Sequence, residues 1–345
     1  DKINILMPAS FVDSTSQLVS DFNAENRGKI KLTVTRGPMD TESVSDLAIS
    51  SLILGRSPFD ILLIDVTWLP KYVAAGWLSP MDKWIDKDSI NSLADGAKKG
   101  NTFRGEIYRY PLVADMGLLY YRKDLMPEGP PKTPEELIEV SKRLQEEKKV
   151  KYGYVWQGRQ YEGLSCVFVE LINGFGGKWM DGNADIGLNT NSSLKAAQWL
   201  RGLIKNGISP EAVTNFSESE ALQSFKAGDA AMMRNWPYAW AEVQKENSLI
   251  KNKVAVTTMI SQRGDKPTST LGSWGFSILK SSTNKEAASS AIKFLTSESA
   301  QKQLFINNGY TPTKASLFRD KELLSKSPIL PVLSQALSVT EARPI

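Results

Sequence analysis

The chain contains no histidine, and cysteine occurs once, at Cys166. Without histidine there is no Ser-His-Asp triad, no imidazole general base and no imidazole metal ligand. A single thiol can close no internal disulfide and build no cysteine zinc site. No run of about 18 apolar residues occurs, so no segment reads as a membrane-spanning helix. Lysine and arginine number 42 against 38 acidic residues. The densest basic stretch, Glu146 to Lys151, mixes both signs, so no arm for tracking nucleic-acid phosphates is present and no nucleic-acid partner is expected. The enzyme chemistries left open rest on carboxylates, lysine, tyrosine or an unassisted serine.

Nucleotide and calcium motifs are missing too. Gly174-Phe175-Gly176-Gly177-Lys178 lacks the spacing of a phosphate-binding loop, and Trp179 stands where Ser or Thr is needed. The three spaced glycines of a dinucleotide site do not follow the first apolar strand. Asp181, Asn183 and Asp185 imitate the start of a calcium loop, but Ile186 takes the position that demands glycine and Ser192 the one that demands glutamate. Neither a cofactor nor a metal is expected.

What the chain does have is 41% hydrophobic and 23% charged residues over 345 positions. That is an ordinary globular composition, long enough for two domains. Ile3–Met7 reads as a strand. A helix with Leu18, Val19 and Phe22 on one face is expected from Asp13 to Asn26. Ile30, Leu32 and Val34 alternate with polar residues as in a half-buried strand. Val44, Leu47, Ala48 and Leu52 form a helix stripe that Gly55 can close. Phe59–Asp65 is an apolar run ending on a carboxylate, as in a strand covered on both faces. Strand–helix–strand–helix–strand predicts an α/β layer with a largely parallel sheet. Later, Thr133-Pro134-Glu135-Glu136 is a helix start with its own cap. Helices are expected over Leu164–Ile172, Leu194–Ile204 and Glu218–Phe225. Strands are expected over Ala230–Met233, Val254–Met259 and Phe276–Leu279.

In such sheets ligands bind beyond the carboxyl ends of the strands. Asp65 ends the third strand and Asp13 follows the first across a short loop. Both are candidate ligand residues; the alternative makes Asp13 a helix N-cap and Asp65 a turn residue. The nine tryptophans add to this. Trp68, Trp156, Trp236, Trp240 and Trp274 fall in segments that read as loops or strand ends, and Trp274 lies between glycines in Leu271-Gly272-Ser273-Trp274-Gly275. Flat rings suit the C–H faces of a neutral sugar, and a carboxylate can accept from two vicinal hydroxyls. The same rings could equally be core.

At this point the residues carry a resemblance. Asp65-Val66-Thr67-Trp68-Leu69 through Ala75-Gly76-Trp77-Leu78, Asp115-Met116-Gly117-Leu118-Leu119-Tyr120-Tyr121-Arg122-Lys123-Asp124-Leu125, Trp156-Gln157-Gly158-Arg159-Gln160-Tyr161-Glu162-Gly163-Leu164, Arg234-Asn235-Trp236-Pro237-Tyr238-Ala239-Trp240 and Leu271-Gly272-Ser273-Trp274 stand in order. Together they resemble the extracellular solute-binding proteins of ABC importers, in the group that binds maltose and other oligosaccharides, and within it the trehalose/maltose-binding proteins. The resemblance implies a periplasmic-binding-protein-like α/β fold: two lobes joined by a multi-strand hinge, closing on a ligand held between them. The N-terminal lobe would hold 1–112 and 273–311, and the C-terminal lobe 113–272 and 312–345. It implies that Asp13, Asp65 and Asp115 accept sugar hydroxyls, that Trp236, Tyr238 and Trp274 stack on or edge the rings, that Ser273 donates through its backbone, and that Tyr161 and Arg343 add contacts. A membrane permease would be the partner and a monomer the working form. The location would be periplasmic or extracellular, with a lipid anchor through a removed N-terminal segment as one form. The beginning at Asp1 fits a processed exported protein as well as a trimmed chain.

The sequence also departs from the pattern. Val113 stands where a tyrosine is expected, and Ser43, Val44 and Ser45 where an arginine is expected. Both changes remove large polar groups, which predicts an α-glucoside whose second half differs from glucose, such as sucrose or glucosylglycerol, with trehalose tolerated and maltose weaker. The rival reading from the residues alone is a carboxylate-dependent glycoside hydrolase.

Overall fold

The strands, in chain order, are β1 (Lys2–Met7), β2 (Lys31–Arg36), β3 (Ile61–Asp65), β4 (Thr102–Phe103), β5 (Glu106–Ile107), β6 (Tyr110–Met116), β7 (Leu118–Arg122), β8 (Tyr152–Val155), β9 (Ala230–Asn235), β10 (Val254–Thr257), β11 (Ser269–Ile278) and β12 (Thr340–Glu341). They come from a computed structural model that describes residues 1–55, 57–180, 185–264 and 266–343. Asp181 and Asn183, the start of the calcium-loop imitation, lie outside the described residues. The chain divides into two units, the first formed by Asp1–Ala114 with Gly272–Ser327, the second by Asp115–Leu271 with the C-terminal segment from Pro328.

In the first unit β1 runs parallel to β2 and β3, and β11 lies antiparallel to β3. Every residue of β3 is buried, and β2 shows one wet face, as their patterns require. Leu6, Leu62 and Ile64 of the sheet pack against Val44, Ala48 and Leu52 of the helix Thr41–Ile53. Gly55 follows that helix with φ +67° and donates its N–H to the carbonyl of Leu52, the left-handed closure that glycine allows. Thr313, beyond the 273–311 limit drawn from the sequence, also belongs here: its N–H donates to Gln301 Oε1 at 2.8 Å and its hydroxyl accepts from Gln301 Nε2 at 2.8 Å.

In the second unit the sheet order is β10-β7-β9-β8, with β7 antiparallel to both neighbours and β8 parallel to β9. The helix Pro134–Glu146 starts with the expected capping box, Thr133 and Glu136 each bonding the other's backbone N–H. Its Leu137 and Leu144 pack into a core with Leu171, Ile172, Leu200 and Leu203.

Some sequence expectations shift. The first helix begins at Ala9, not Asp13. Pro8 ends β1 and its fixed φ, here −54°, opens the helix, so Asp13 lies inside it and is no N-cap. β11 begins at Ser269, before the glycine-flanked Trp274. The glycines that read as loop are strand residues set against close neighbours: a Cβ on Gly275 would lie 2.7 Å from the Tyr110 carbonyl oxygen and 2.8 Å from the Arg109 guanidinium carbon. β10 stops at Thr257, short of Met259. Trp156 is a core residue, its Nε1 donating to Ser209 Oγ at 3.1 Å.

A buried ion pair ties the second unit. Arg234 of β9 is 0% exposed, and its Nη2 and Nε donate to Glu170 Oε1 and Oε2 at 2.6 and 3.0 Å. Glu170 belongs to the helix Glu162–Gly174 and also accepts from the Thr270 N–H at 3.2 Å. A Cβ on Gly117 would lie 1.8 Å from Glu170 Oε1, so residue 117 must be glycine. Removing one partner of a buried pair strands a charge away from water, at a cost of about 3–5 kcal/mol. Glu170→Ala should therefore lower the free energy of unfolding by that much, seen as a fall in the urea midpoint followed by circular dichroism; a wild-type midpoint would show that the pair carries no stability.

Candidate functional site

The first unit presents aromatic rings beside a strand-end carboxylate. In the antiparallel register of β11 and β3, Trp274 stands directly opposite Asp65, so these residues share one edge of the sheet as cross-strand neighbours. Trp274 is half-buried in a run of rings. Phe11 lies 5.6 Å from it, Trp68 packs edge-on at 5.4 Å, and Tyr310 stacks on Phe11 at 5.0 Å. Phe11 and Tyr310 were not singled out from the sequence. Phe11 follows the carboxyl end of β1, the same positional rule that selects Asp13; Tyr310 follows the left-handed Gly309 and carries no comparable signal.

Asp65 caps the turn that follows β3. Its Oδ1 accepts from the Thr67 N–H at 2.9 Å and from Thr67 Oγ1 at 2.8 Å, so the turn-residue alternative describes part of what it does. Asp13 is exposed and held bidentately by Arg36, the last residue of β2, at 2.5 and 3.0 Å. Hydrogen bonding from that guanidinium holds the Asp13 carboxyl below the usual carboxylate range. Asp13 thus reaches any ligand as a carboxylate already shared with an arginine. Ser273 is fully buried; its hydroxyl donates to the Val113 carbonyl at 2.9 Å and accepts from Arg109 Nη2 at 2.8 Å. Its side chain is thereby structural. Val113 is also buried and turns its side chain into the core.

The second unit gathers Asp115, Tyr161, Trp236, Tyr238 and Arg343. Trp236 is half-buried just after β9 and is pinned on several sides. Its N–H donates to Asn235 Oδ1 at 2.8 Å and its carbonyl accepts the buried Tyr120 hydroxyl at 2.7 Å. The Arg234 guanidinium lies against its ring at 4.1 Å, and its indole N–H donates to Glu218 Oε1 at 3.1 Å. The Tyr161 hydroxyl donates to the other oxygen of Glu218 at 2.7 Å, and Arg159 covers its ring at 4.5 Å. Burial, then the adjacent Glu218 carboxylate, pushes the Tyr161 phenol far above its ordinary value. Tyr238 stands at the N-cap of the short helix Ala239–Val243. Tyr238 and Asp115, which is half-buried, both lie close enough to raise the pKa of the Tyr120 phenol, whose main cause is burial.

Arg343 is buried, with Nη1 on Glu162 Oε1 and Nη2 donating to the Leu271 carbonyl at 3.4 Å. Those bonds make it a strut between the C-terminal segment and the helix that follows Tyr161. Cys166 lies beneath, its thiol donating to Glu162 Oε1 at 3.0 Å and pushed well up in pKa by burial, so it is an unreactive thiol. Among the described residues, no group of three or more Cys, Asp or Glu side chains is placed to hold a metal ion, and no helix is long and apolar enough to cross a membrane.

An α/β fold in two units, each with half-buried rings set beside carboxylates, is the architecture of a small-molecule binding protein. The comparisons with known proteins say which kind. The sequence pattern of the bacterial extracellular solute-binding proteins matches residues 8–302, and the chain belongs to that family. It is 35% identical to a probable ABC transporter-binding protein of Deinococcus radiodurans, over 90% of this chain and 76% of that one. The maltose-bound structure of T. maritima MalE3 superposes with a TM-score of 0.92 at 31% identity, covering 99% of this chain and 89% of that one. A mannitol-binding protein of Pseudomonas aeruginosa is 27% identical over 77% of this chain and 63% of its own length.

Asp65 carries a structural duty separable from any ligand contact. Asp65→Ala should reduce stability by about 0.5–2 kcal/mol through the lost cap, and Thr67→Val should reproduce part of that loss. Thermal melts that match wild type for both variants would show that the cap contributes nothing.

Proposed function

We propose that this chain is the substrate-binding protein of an ABC sugar importer. It captures an α-glucoside outside the cytoplasmic membrane and delivers it to the membrane permease. The observation that carries this reading is the presentation of Trp236. The polar atom of its indole is engaged by Glu218 and one ring face lies against Arg234, so what it offers a ligand is an apolar surface, matched to the C–H face of a sugar. The guanidiniums against Trp236 and Tyr161 already satisfy the electron-rich rings, which disfavours a second cation there and favours a neutral ligand. Asp65 and Asp115 supply the acceptors for hydroxyls, and Trp274 and Tyr238 supply further rings. The T. maritima neighbour, solved with maltose, supports a glucoside.

The mannitol-binding relative supports an acyclic polyol as a second reading. The two differ in ring demand: a polyol has no pyranose face for Trp236 to cover. A hydrolase reading finds less support. A glycosidase needs a carboxyl held protonated as general acid, and the Arg36 bond shifts Asp13 the opposite way.

Calorimetric titration with maltose, trehalose, sucrose, glucosylglycerol and mannitol should show saturable binding of at least one α-glucoside. Trp236→Ala should weaken it by about 2–4 kcal/mol, the scale of a central aromatic contact, with an unchanged far-UV spectrum. Normal binding by that variant would make Trp236 a packing residue, and mannitol as the only ligand would favour the polyol reading.

Selectivity is the second expectation. Val113 is buried in the core, whereas Ser43 and Ser45 leave the helix Thr41–Ile53 without a guanidinium. In competition titrations, sucrose or glucosylglycerol should displace a bound sugar better than maltose does. Maltose at least tenfold tighter than both would show that these serines do not set specificity.

A further inference from the structure

We propose that Glu218 is the positioning residue of the aromatic surface in the second unit: its two carboxylate oxygens hold the Trp236 indole and the Tyr161 hydroxyl as a fixed pair of rings. The inference rests on the sugar-binding reading of Trp236 but not on which sugar is bound. Trp236 Nε1 donates to Oε1 at 3.1 Å and Tyr161 Oη to Oε2 at 2.7 Å. These rings come from separate segments, one after β9 and one at the start of the helix Glu162–Gly174. A single carboxylate is their shared anchor.

Glu218 is itself well fixed. It is the first residue of the helix Glu218–Lys226, where the N-terminal end of the helix dipole favours an anion. The neighbouring Ser217 and Glu220 complete the capping box, so Glu218 is released from backbone capping and its side chain is available to the rings. Asn235 then joins the parts: its Nδ2 donates to the Glu218 carbonyl at 3.2 Å while its Oδ1 accepts the Trp236 N–H at 2.8 Å. From the sequence, Glu218 reads only as a helix start.

Two consequences follow for recognition. The indole N–H and the phenol are engaged within the protein, so Trp236 and Tyr161 bind through ring surface and not by donating to sugar hydroxyls. Removing Glu218 frees both donors and loosens both rings at once, while a glutamine there can still accept from only one of them.

The test compares Glu218→Gln, Glu218→Ala, Tyr161→Phe and the double variant Glu218→Ala/Tyr161→Phe. The Trp236 indole N–H signal, assigned with Trp236→Phe, is followed by nitrogen-edited NMR in the protein without sugar, and maltose affinity is measured by calorimetry. Glutamine keeps one acceptor oxygen and the shape. In Glu218→Gln the indole signal should move, and maltose affinity should fall about tenfold, the scale of losing a hydrogen bond to a charged group. Tyr161→Phe should weaken maltose binding in the wild-type background and add no further loss to Glu218→Ala, because both changes remove one shared interaction. A merely structural role would lower the melting temperature of Glu218→Gln without moving the indole signal, and that result would overturn the proposal. So would additive losses in the double variant. If wild-type protein binds none of maltose, trehalose, sucrose and glucosylglycerol, the sugar reading fails, while the indole signal still judges the clamp by itself.

Discussion

The second unit is organised around two opposite charges removed from water. Arg234 and Glu170 are both fully buried, and neither can stay there without the other. Their demands spread outward. Gln157 accepts from Arg234 Nη1 at 3.3 Å and donates to the Arg234 carbonyl at 3.0 Å. The Thr270 N–H turns to Glu170, and residue 117 loses its side chain altogether. Stability alone does not explain such a pair, since well-packed apolar residues of similar volume serve as well or better. What an apolar substitute cannot provide is a planar cation beneath the Trp236 ring at 4.1 Å. The pair is a core feature whose outer face is part of the candidate site.

The first unit also buries an arginine. Arg109 is fully buried, with Nη1 donating to Asn101 Oδ1 at 2.7 Å and Nη2 to Ser273 Oγ at 2.8 Å. Gly275 leaves it room, as Gly117 leaves room for Glu170. Trp274 stands between the serine and the glycine that this arginine requires. In each unit a buried arginine therefore dictates a glycine and fixes the backbone that carries a tryptophan.

Much of the fold was legible because it is periodic. β1, β2, β3 and the helices at Thr41 and Pro134 follow from apolar spacing and local capping, signals that lie within a few residues of one another. Where the reading failed, the deciding contact was distant in sequence. Trp274 falls in a segment that reads as loop or strand end, and it lies within β11, where Arg109 and Tyr110 crowd Gly275. The N-cap alternative for Asp13 is the exception, since the local Pro8 opens the helix at Ala9. At the candidate site, Asp65, Trp236 and Trp274 could be chosen from chemistry and position. Glu218, Phe11 and Tyr310 could not, since a glutamate at a helix start or a phenylalanine after a strand has an ordinary local meaning. The side chains of Arg343 and Ser273 bond protein groups, which leaves the backbone contact expected of Ser273 a separate matter.

These arrangements divide recognition between two kinds of group. Buried polar atoms need partners, and in the second unit the protein supplies its own for the Trp236 indole and the Tyr161 phenol. That leaves rings whose orientation is set before any ligand arrives. Prior ordering matters energetically, because immobilising a free side chain on binding costs about 0.5–1.5 kcal/mol. A ring held by Glu218, Arg234, Asn235 and the Tyr120 hydroxyl avoids most of that cost. Ring contacts carry little information about hydroxyl positions, however, since every pyranose has an apolar face. Under the proposed sugar-binding reading, discrimination among sugars falls to the carboxylates, where an unmatched hydroxyl pattern leaves a charged acceptor unpaired. Asp65 has one oxygen committed to Thr67 and Asp13 has both on Arg36, so the acceptors too are partly engaged beforehand. On that reading the rings supply affinity and the carboxylates supply selection.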